Sequence, residues 1–204
     1  MAIAVIGPGC GDDSKDESYT QKAGPVPASL RTVESASEDI IDLALAGNRA
    51  EVVSKARRLE TAAKDLGSEE LRIRAARVAT LAPSAALLDV ALASNRVFAL
   101  VPAFFARYET SVPASVTELD YLDFEAKLES RAHDTAKLRQ AVDRLGATWD
   151  SVRPQVDDAR AAARFDAHVK AITALADNTD PARTQREAQH GLDLVDELEQ
   201  SFEG

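Results

Sequence analysis

Apolar residues recur every three or four positions from Ser29 onward, which is the period of an amphipathic helix. Four such stripes are Val52, Ala56, Leu59 and Ala63; Leu138, Val142, Leu145, Trp149 and Val152; Phe165, Val169, Ile172 and Ala176; and Ala188, Leu192, Val195 and Phe202. Breaks separate them at Gly47-Asn48, Gly67-Ser68, Ala82-Pro83, 111–113, His133-Asp134 and 177–181. The pattern predicts an all-α fold, an antiparallel bundle of six or seven helices that includes one long helix over 84–108.

Residues 44–49 and 91–96 share the pattern Ala-Leu-Ala-x-Asn-Arg. A recurrence of this kind is typical of stacked helical hairpins. The helix ends that follow along the chain do not recur at the same interval, and chance similarity is frequent in an Ala-rich chain. The sequence therefore favours the bundle over a solenoid.

Length and composition indicate one folded unit with a short appendage. The chain has 204 residues, of which 45% are hydrophobic and 28% charged, and it is long enough to fold without a disulfide or a metal. With 24 basic and 34 acidic residues, the net charge is −10. Nucleic-acid binding requires a basic face. We expect a single domain over residues 29–204 and no nucleic-acid partner.

The chain changes character at its only cysteine. Residues 2–9 are uncharged and end in small residues, Cys10 follows, and residues 11–18 are strongly polar. This step resembles the end of a bacterial lipoprotein signal peptide, in which the cysteine after small residues is lipidated and becomes the new N-terminus. Two features depart from that pattern: Gly7 replaces the usual Leu-like residue, and no Lys or Arg precedes the apolar stretch.

The resemblance implies that residues 1–9 are the end of a signal peptide that starts upstream of Met1. It also implies a lipid on Cys10, a flexible polar linker over 10–28, and a location in the cell envelope, on the periplasmic or outer surface. The membrane is then a partner through the lipid anchor. The alternative is a disordered N-terminal tail in which the cysteine is an exposed thiol.

The three histidines are the candidate metal ligands, and helical angles distinguish them. His133 falls in a turn. His190 follows Glu187 at the spacing of carboxylate-bridged di-iron bundles, but those sites need two such pairs, and His190 points away from the apolar stripe. His168 lies at the edge of the apolar face, which is typical of a hydrogen-bonded core residue and also allows a ligand role. Together with Glu125 it is the weak candidate for a metal ion, and no cofactor is predicted.

Several polar residues project toward the predicted core. Burying a charge requires a partner, and Glu125 and Arg153 could satisfy each other, with Asn95 and His168 completing the network. One interpretation is a structural network that fixes helix register. The other is an interior ligand site, which we define as Asn95, Tyr121, Glu125, Trp149, Arg153 and His168.

Motifs of known enzymes are absent from the sequence: it has no Gly-rich phosphate loop, no HExxH and no GxSxG. The acidic residues at 157–158 and around Asp193, Asp196, Glu197 and Glu199 lack the spacing of a calcium loop. We interpret them as a solvated face.

These observations predict a membrane-tethered extracytoplasmic lipoprotein whose bundle binds a small ligand or an envelope protein without catalysis. A metal- or cofactor-binding bundle that uses an interior His/Glu site is the alternative. A third hypothesis, an envelope hydrolase, requires an open cleft around carboxylates with perturbed pKa values, such as Glu125.

Overall fold

The computed structural model describes residues 23–177 and 180–203, and the fold in these ranges is all-α. Its α-helices are α1 (Ala28–Leu45), α2 (Arg49–Lys64), α3 (Glu69–Leu81), α4 (Leu87–Phe98), α5 (Val101–Phe105), α6 (Ala114–Ala132), α7 (Thr135–Val152), α8 (Ala159–Ala176) and α9 (Pro181–Glu203). The predicted signal segment 1–9, Cys10 and the linker as far as residue 22 lie outside the described residues. The prediction of an all-α bundle is confirmed.

The described ranges contain more helices than the six or seven predicted, because two breaks were missed. The sequence pattern predicts one helix over 84–108, whereas α4 ends at Phe98 and α5 begins at Val101. Pro102 has no N–H to donate to the carbonyl of Phe98. A second break is the 3₁₀ turn Arg153–Gln155, after which the Asp158 side chain accepts hydrogen bonds from the first backbone amides of α8.

Local sequence explains the other helix ends. The Ser68 side chain accepts a hydrogen bond from the Leu71 amide and caps α3, at the predicted break Gly67-Ser68. Asn48 and Asp134 cap α2 and α7 in the same way. Gly47 and Gly67 have φ angles of 82° and 67° in the turns that follow α1 and α2, a backbone region in which other residues are strained.

A small sheet joins the start of the described chain to its middle. The strand β1 (Ala23–Pro25) pairs in parallel with β2 (Tyr108–Glu109), with Ala23 opposite Tyr108 and Pro25 opposite Glu109. Residues 23–25 belong to the predicted linker 10–28, so the last part of that segment lies against the helical body. The apolar pattern of the sequence gives no signal for so short a sheet.

The core runs through α4 and α6. Helix α1 packs on α2 and α4, α9 packs on α6 and α8, and α6 also contacts α4 and α7. Leu87–Phe105 is long and apolar enough to cross a membrane by length and composition, but 56% of that window is buried inside the bundle. The apolar side chains of this segment therefore pack in the core, where Phe98 is fully buried.

Candidate functional site

One polar feature in the described part of the bundle is a buried histidine between two carboxylates. His168 on α8 contacts Oδ1 of Asp123 on α6 through Nε2, at 3.0 Å, and Oε1 of Glu187 on α9 through Nδ1, also at 3.0 Å. The side chains of His168 and Asp123 are 0% exposed. We call these three residues the histidine triad.

The absence of a side chain at Gly191 makes this packing feasible. A Cβ atom at this position would lie 2.4 Å from both Oδ2 of Asp123 and Nε2 of His168. Real Cβ atoms do not approach other atoms so closely, so α9 can pack against the triad only with glycine here.

The triad favours a charged imidazolium. Burial by itself lowers the pKa of His168, but the hydrogen bonds and charges of Asp123 and Glu187 outweigh burial and raise the pKa above its usual value. Oδ2 of Asp123 has no hydrogen-bond partner among the described residues. Burial raises the pKa of Asp123 as well, against the lowering effect of His168. The triad is therefore a hydrogen-bonded cluster of ionisable groups that joins α6, α8 and α9 inside the bundle.

The six residues of the predicted interior site fall into separate hydrogen-bonded groups. Asn95 donates to Oε2 of Glu125. Arg144 donates to the hydroxyl oxygen of Tyr121, at 3.5 Å. Trp149 Nε1 and Arg153 Nε both donate to Asp166, at 2.7 Å and 3.2 Å.

Two expected pairings therefore differ in the structure. Arg153 pairs with Asp166 and not with Glu125, because Asp166 lies on α8 directly across the turn at Pro154. His168 pairs with Asp123 and Glu187 and not with Glu125. Within residues 23–177 and 180–203, no three His, Cys, Asp or Glu side chains are arranged to hold a metal ion.

Sequence reasoning missed Asp123, Glu187 as a partner of His168, and Gly191. The spacing of Glu187 and His190 drew attention to His190, which is exposed. Glu187 instead turns toward a histidine of a different helix. His133 lies at the predicted turn, with a left-handed φ of 58° and an exposed side chain.

The second feature is an open cleft of about 590 Å³, and seven of the residues that line it are carboxylic acids. They are Glu34 and Glu38 of α1, Glu109 of β2, Asp120 of α6, and Asp196, Glu199 and Glu203 of α9. Arg31 is the single basic residue that lines it. We call this feature the acidic cleft.

Helical spacing explains how the acids converge. Glu34 and Glu38 are four positions apart on α1, and Asp196, Glu199 and Glu203 recur every three or four positions on α9, so each set lies on one face of its helix. Helices α1 and α9 have other principal packing partners, and α6 supplies Asp120 between them. The acids of α1 and α9 therefore form two sides of the cleft, and α6 adds Asp120 between them.

Burial and mutual repulsion raise the pKa values of five of these acids. Burial, together with the charges of Glu38 and Glu199, raises the pKa of Glu34 to about 8. Burial and the acids of α9 raise the pKa of Glu38 to about 7. The pKa of Asp120 lies well above its usual value because of burial and the charges of Glu38 and Glu199. Burial and neighbouring acids also raise the pKa values of Asp196 and Glu199.

The acids expected on a solvated face of α9 have different surroundings: Asp193 and Asp196 are exposed, as expected, whereas Glu197 and Glu199 are partly buried. Asp196 and Glu199 line the cleft, whereas Asp193 is exposed beside Gln189, and Glu197 pairs with Arg164. The sequence pattern cannot separate these roles, because it does not reveal that α9 faces α1 across the cleft.

Outside the lining of the acidic cleft, a lysine of α6 bridges the same two helices, α1 and α9. Lys127 of α6 places Nζ 3.3 Å from Oδ1 of Asp42 on α1 and 2.6 Å from Oε1 of Gln189 on α9. The same ammonium group lies 5.4 Å from the ring centroid of Phe124. Its side chain is 13% exposed.

The fold and the acidic cleft define the class of this protein as an all-α bundle with an acidic cleft. No family model, no curated protein and no solved structure matches the chain.

Proposed function

We propose that this protein is a non-catalytic binding protein of the bacterial cell envelope and that its acidic cleft takes a cationic ligand. The observation that carries the ligand class is the composition of the cleft, seven acids against one arginine. Like charges held together in a partly buried site oppose folding. A bound cation compensates that repulsion, and strongly perturbed carboxylates in a cleft are a recognised mark of functional sites.

The common direction of the pKa shifts in the cleft favours binding over hydrolysis. A carboxylate pair that performs acid and base catalysis has its two pKa values pushed apart, one acid and one base. Here the pKa values of Glu34, Glu38 and Asp120 all move upward, through shared burial and repulsion. Glu125, the acid considered for an envelope hydrolase, is not among the residues that line the cleft.

The proposed scaffold is an antiparallel bundle. Contacts between α6 and α9 support this arrangement, since Lys127 meets Gln189 whereas Ser130, further along α6, meets the carbonyl of Pro181, earlier in α9. In this arrangement α6 and α9 run in opposite directions along the groove that holds the cleft.

We expect small cations to stabilise the protein through the cleft. In a thermal-shift panel at pH 8 and constant ionic strength, at least one of Ca²⁺, spermidine and trilysine should raise the Tm in a saturable manner, as binding to the folded state requires. The shift should fall by more than half in a Glu38→Gln variant, which loses one carboxylate of the cleft.

The matched control is Asp157→Asn, which removes the same charge from an exposed position outside the cleft. It should keep the full shift. If no cation of the panel raises the Tm, or if Asp157→Asn and Glu38→Gln behave alike, the proposed cation-binding cleft is wrong.

We propose in addition that Cys10 carries a lipid that anchors the body to the membrane, on the grounds of the small-to-polar step at this residue. In its native host the wild-type protein should partition into the detergent phase of a Triton X-114 extraction. Cys10→Ala should move to the aqueous phase, since two or more acyl chains bind a bilayer stably and none does. Unchanged membrane association of Cys10→Ala would exclude this anchor.

A further inference from the structure

We infer that the ligand of the acidic cleft is a linear aliphatic polyamine, whose ammonium groups pair with carboxylates of α1, α6 and α9 while its methylene groups contact Phe105 and Val112. This inference rests on the proposed cation-binding function and narrows it to one chemical class. It draws on three independent features of the described residues: a lysine that bridges the same helices α1 and α9, the spacing of the acids, and an unpaired hydroxyl in the cleft.

Lys127 already places an alkylammonium group between α1 and α9. Its Nζ bridges Asp42 of α1 and Gln189 of α9, and it lies over the ring of Phe124. The residues Thr117, Asp120, Phe124 and Lys127 follow one another at three- and four-residue intervals, so they lie on one face of α6. The same three helices that line the acidic cleft therefore already hold a primary amine on an aliphatic chain, between α1 and α9.

The cleft repeats the chemistry that surrounds Lys127. Its two sides supply carboxylates, and Phe105 supplies an aromatic ring among the lining residues, the counterpart of Phe124. Two acids four positions apart on a helix, such as Glu34 and Glu38, are separated by roughly 6 Å along the axis. That separation is comparable to the distance between amines joined by a short alkyl chain, and Val26 and Val112 provide apolar surface for the methylenes.

Thr117 adds a polar group without a partner. It is 6% exposed, it lines the cleft, and its hydroxyl makes no hydrogen bond within the described ranges. Other helical threonines, including Thr32 and Thr173, donate to the carbonyl four residues earlier. The Thr117 oxygen is not among the buried unpaired side-chain atoms of the described residues, so the hydroxyl is accessible from the cleft and can accept a hydrogen bond from an ammonium group beside Asp120.

The same residues disfavour two other occupants. The carboxylates of the cleft are spread over α1, β2, α6 and α9, and the described part of the chain holds no group of three ligands arranged for a metal ion. The N-terminal segment carries Asp12, Asp13, Asp16 and Glu17 against Lys15 and Lys22. Its negative charge makes it a poor ligand for an acidic cleft.

Isothermal titration calorimetry on the full-length chain at pH 8 tests the inference, with spermidine, Ca²⁺ and trilysine as separate titrants. We expect one spermidine per chain. Asp120→Asn and Glu199→Gln should each weaken spermidine binding by about tenfold, because each removes one charge-assisted hydrogen bond. Thr117→Val should weaken it by about threefold, and Asp157→Asn by less than twofold.

The outcomes separate the inference from the proposed function. Saturable binding of Ca²⁺ or trilysine that depends on Asp120, without binding of spermidine, overturns the polyamine and leaves the cation-binding cleft in place. Binding of none of the three titrants overturns both. Spermidine binding that is unaffected by Asp120→Asn and Glu199→Gln places the amine elsewhere on the acidic surface and also overturns the inference.

Discussion

Replacing His168 by alanine is expected to lower the free energy of unfolding by about 4 kcal/mol, because removal of one partner of a buried charge cluster leaves the other charges uncompensated. Asp123 is fully buried, and one of its oxygens has no partner among the described residues even in the wild type. Glu187 keeps a side-chain exposure of 23% and can regain some water. Most of the loss therefore comes from Asp123, with a further contribution from the cavity.

Urea unfolding monitored by circular dichroism measures this effect, and two variants serve as controls. His190→Ala removes an exposed imidazole near the same place and should change stability by less than about 0.5 kcal/mol. The double variant Asp123→Ala/His168→Ala should lose less than the sum of the two single changes, since neither charge is left alone. Full additivity would show that the two side chains do not interact.

The pH dependence of the same variant has a definite sign. The pKa of His168 is raised in the folded state. Its contribution to the free energy of unfolding is therefore complete at pH values below the ordinary pKa of histidine, and it is lost as the pH rises through the raised pKa. His168→Ala should lack this component. A wild-type stability curve of identical shape to that of His168→Ala would contradict the charged triad.

Replacing Glu34 by glutamine is expected to increase stability at pH 8 by about 2 kcal/mol and to leave it nearly unchanged at pH 4.5. The pKa of Glu34 rises from 4.5 to about 8 through burial and neighbouring acids. Each pKa unit corresponds to about 1.4 kcal/mol, and we reduce the full value because Glu34 and Glu38 titrate together.

The sign follows from proton linkage. The folded state binds more protons than the unfolded state between pH 4.5 and about 8, so wild-type stability falls as the pH rises through that range. Glutamine removes the ionisable group and its share of the decline. Thermal unfolding at both pH values tests this, with Asp157→Asn as the charge-matched control. A gain for Glu34→Gln that is equal at pH 4.5 and pH 8 would show that ionisation of Glu34 in its buried, acidic surroundings is not its cause.

The period of the apolar residues predicts the all-α fold because each helix buries one stripe, and Ser68 marks the start of α3 correctly. It does not reveal the break at Ala99-Leu100, where an apolar segment continues across the gap between α4 and α5. Nor does it reveal the 3₁₀ turn after α7, because helical apolar stripes flank Pro154 on both sides.

For the candidate site, the sequence predicts polar positions on single helices but not the contacts between helices. Helical angles identify polar positions such as His168 and Asn95, but the partner of each comes from another helix. Glu187 faces His168, and Asp166 faces Arg153. The acidic cleft cannot be predicted from the sequence, because Glu38 and Glu199 are far apart along the chain. They come to the same cleft only through the packing of α4, α6 and α9.

The most direct test of the central claim is an experimental structure of the full-length chain with spermidine bound at pH 8. We predict one polyamine along the acidic cleft, with an ammonium group between Glu38 and Asp120 and its carbon chain against Phe105. A polyamine bound at the exposed acids Asp157 and Asp158, with the cleft unchanged, would contradict the assignment of the cleft as a binding site for aliphatic amines.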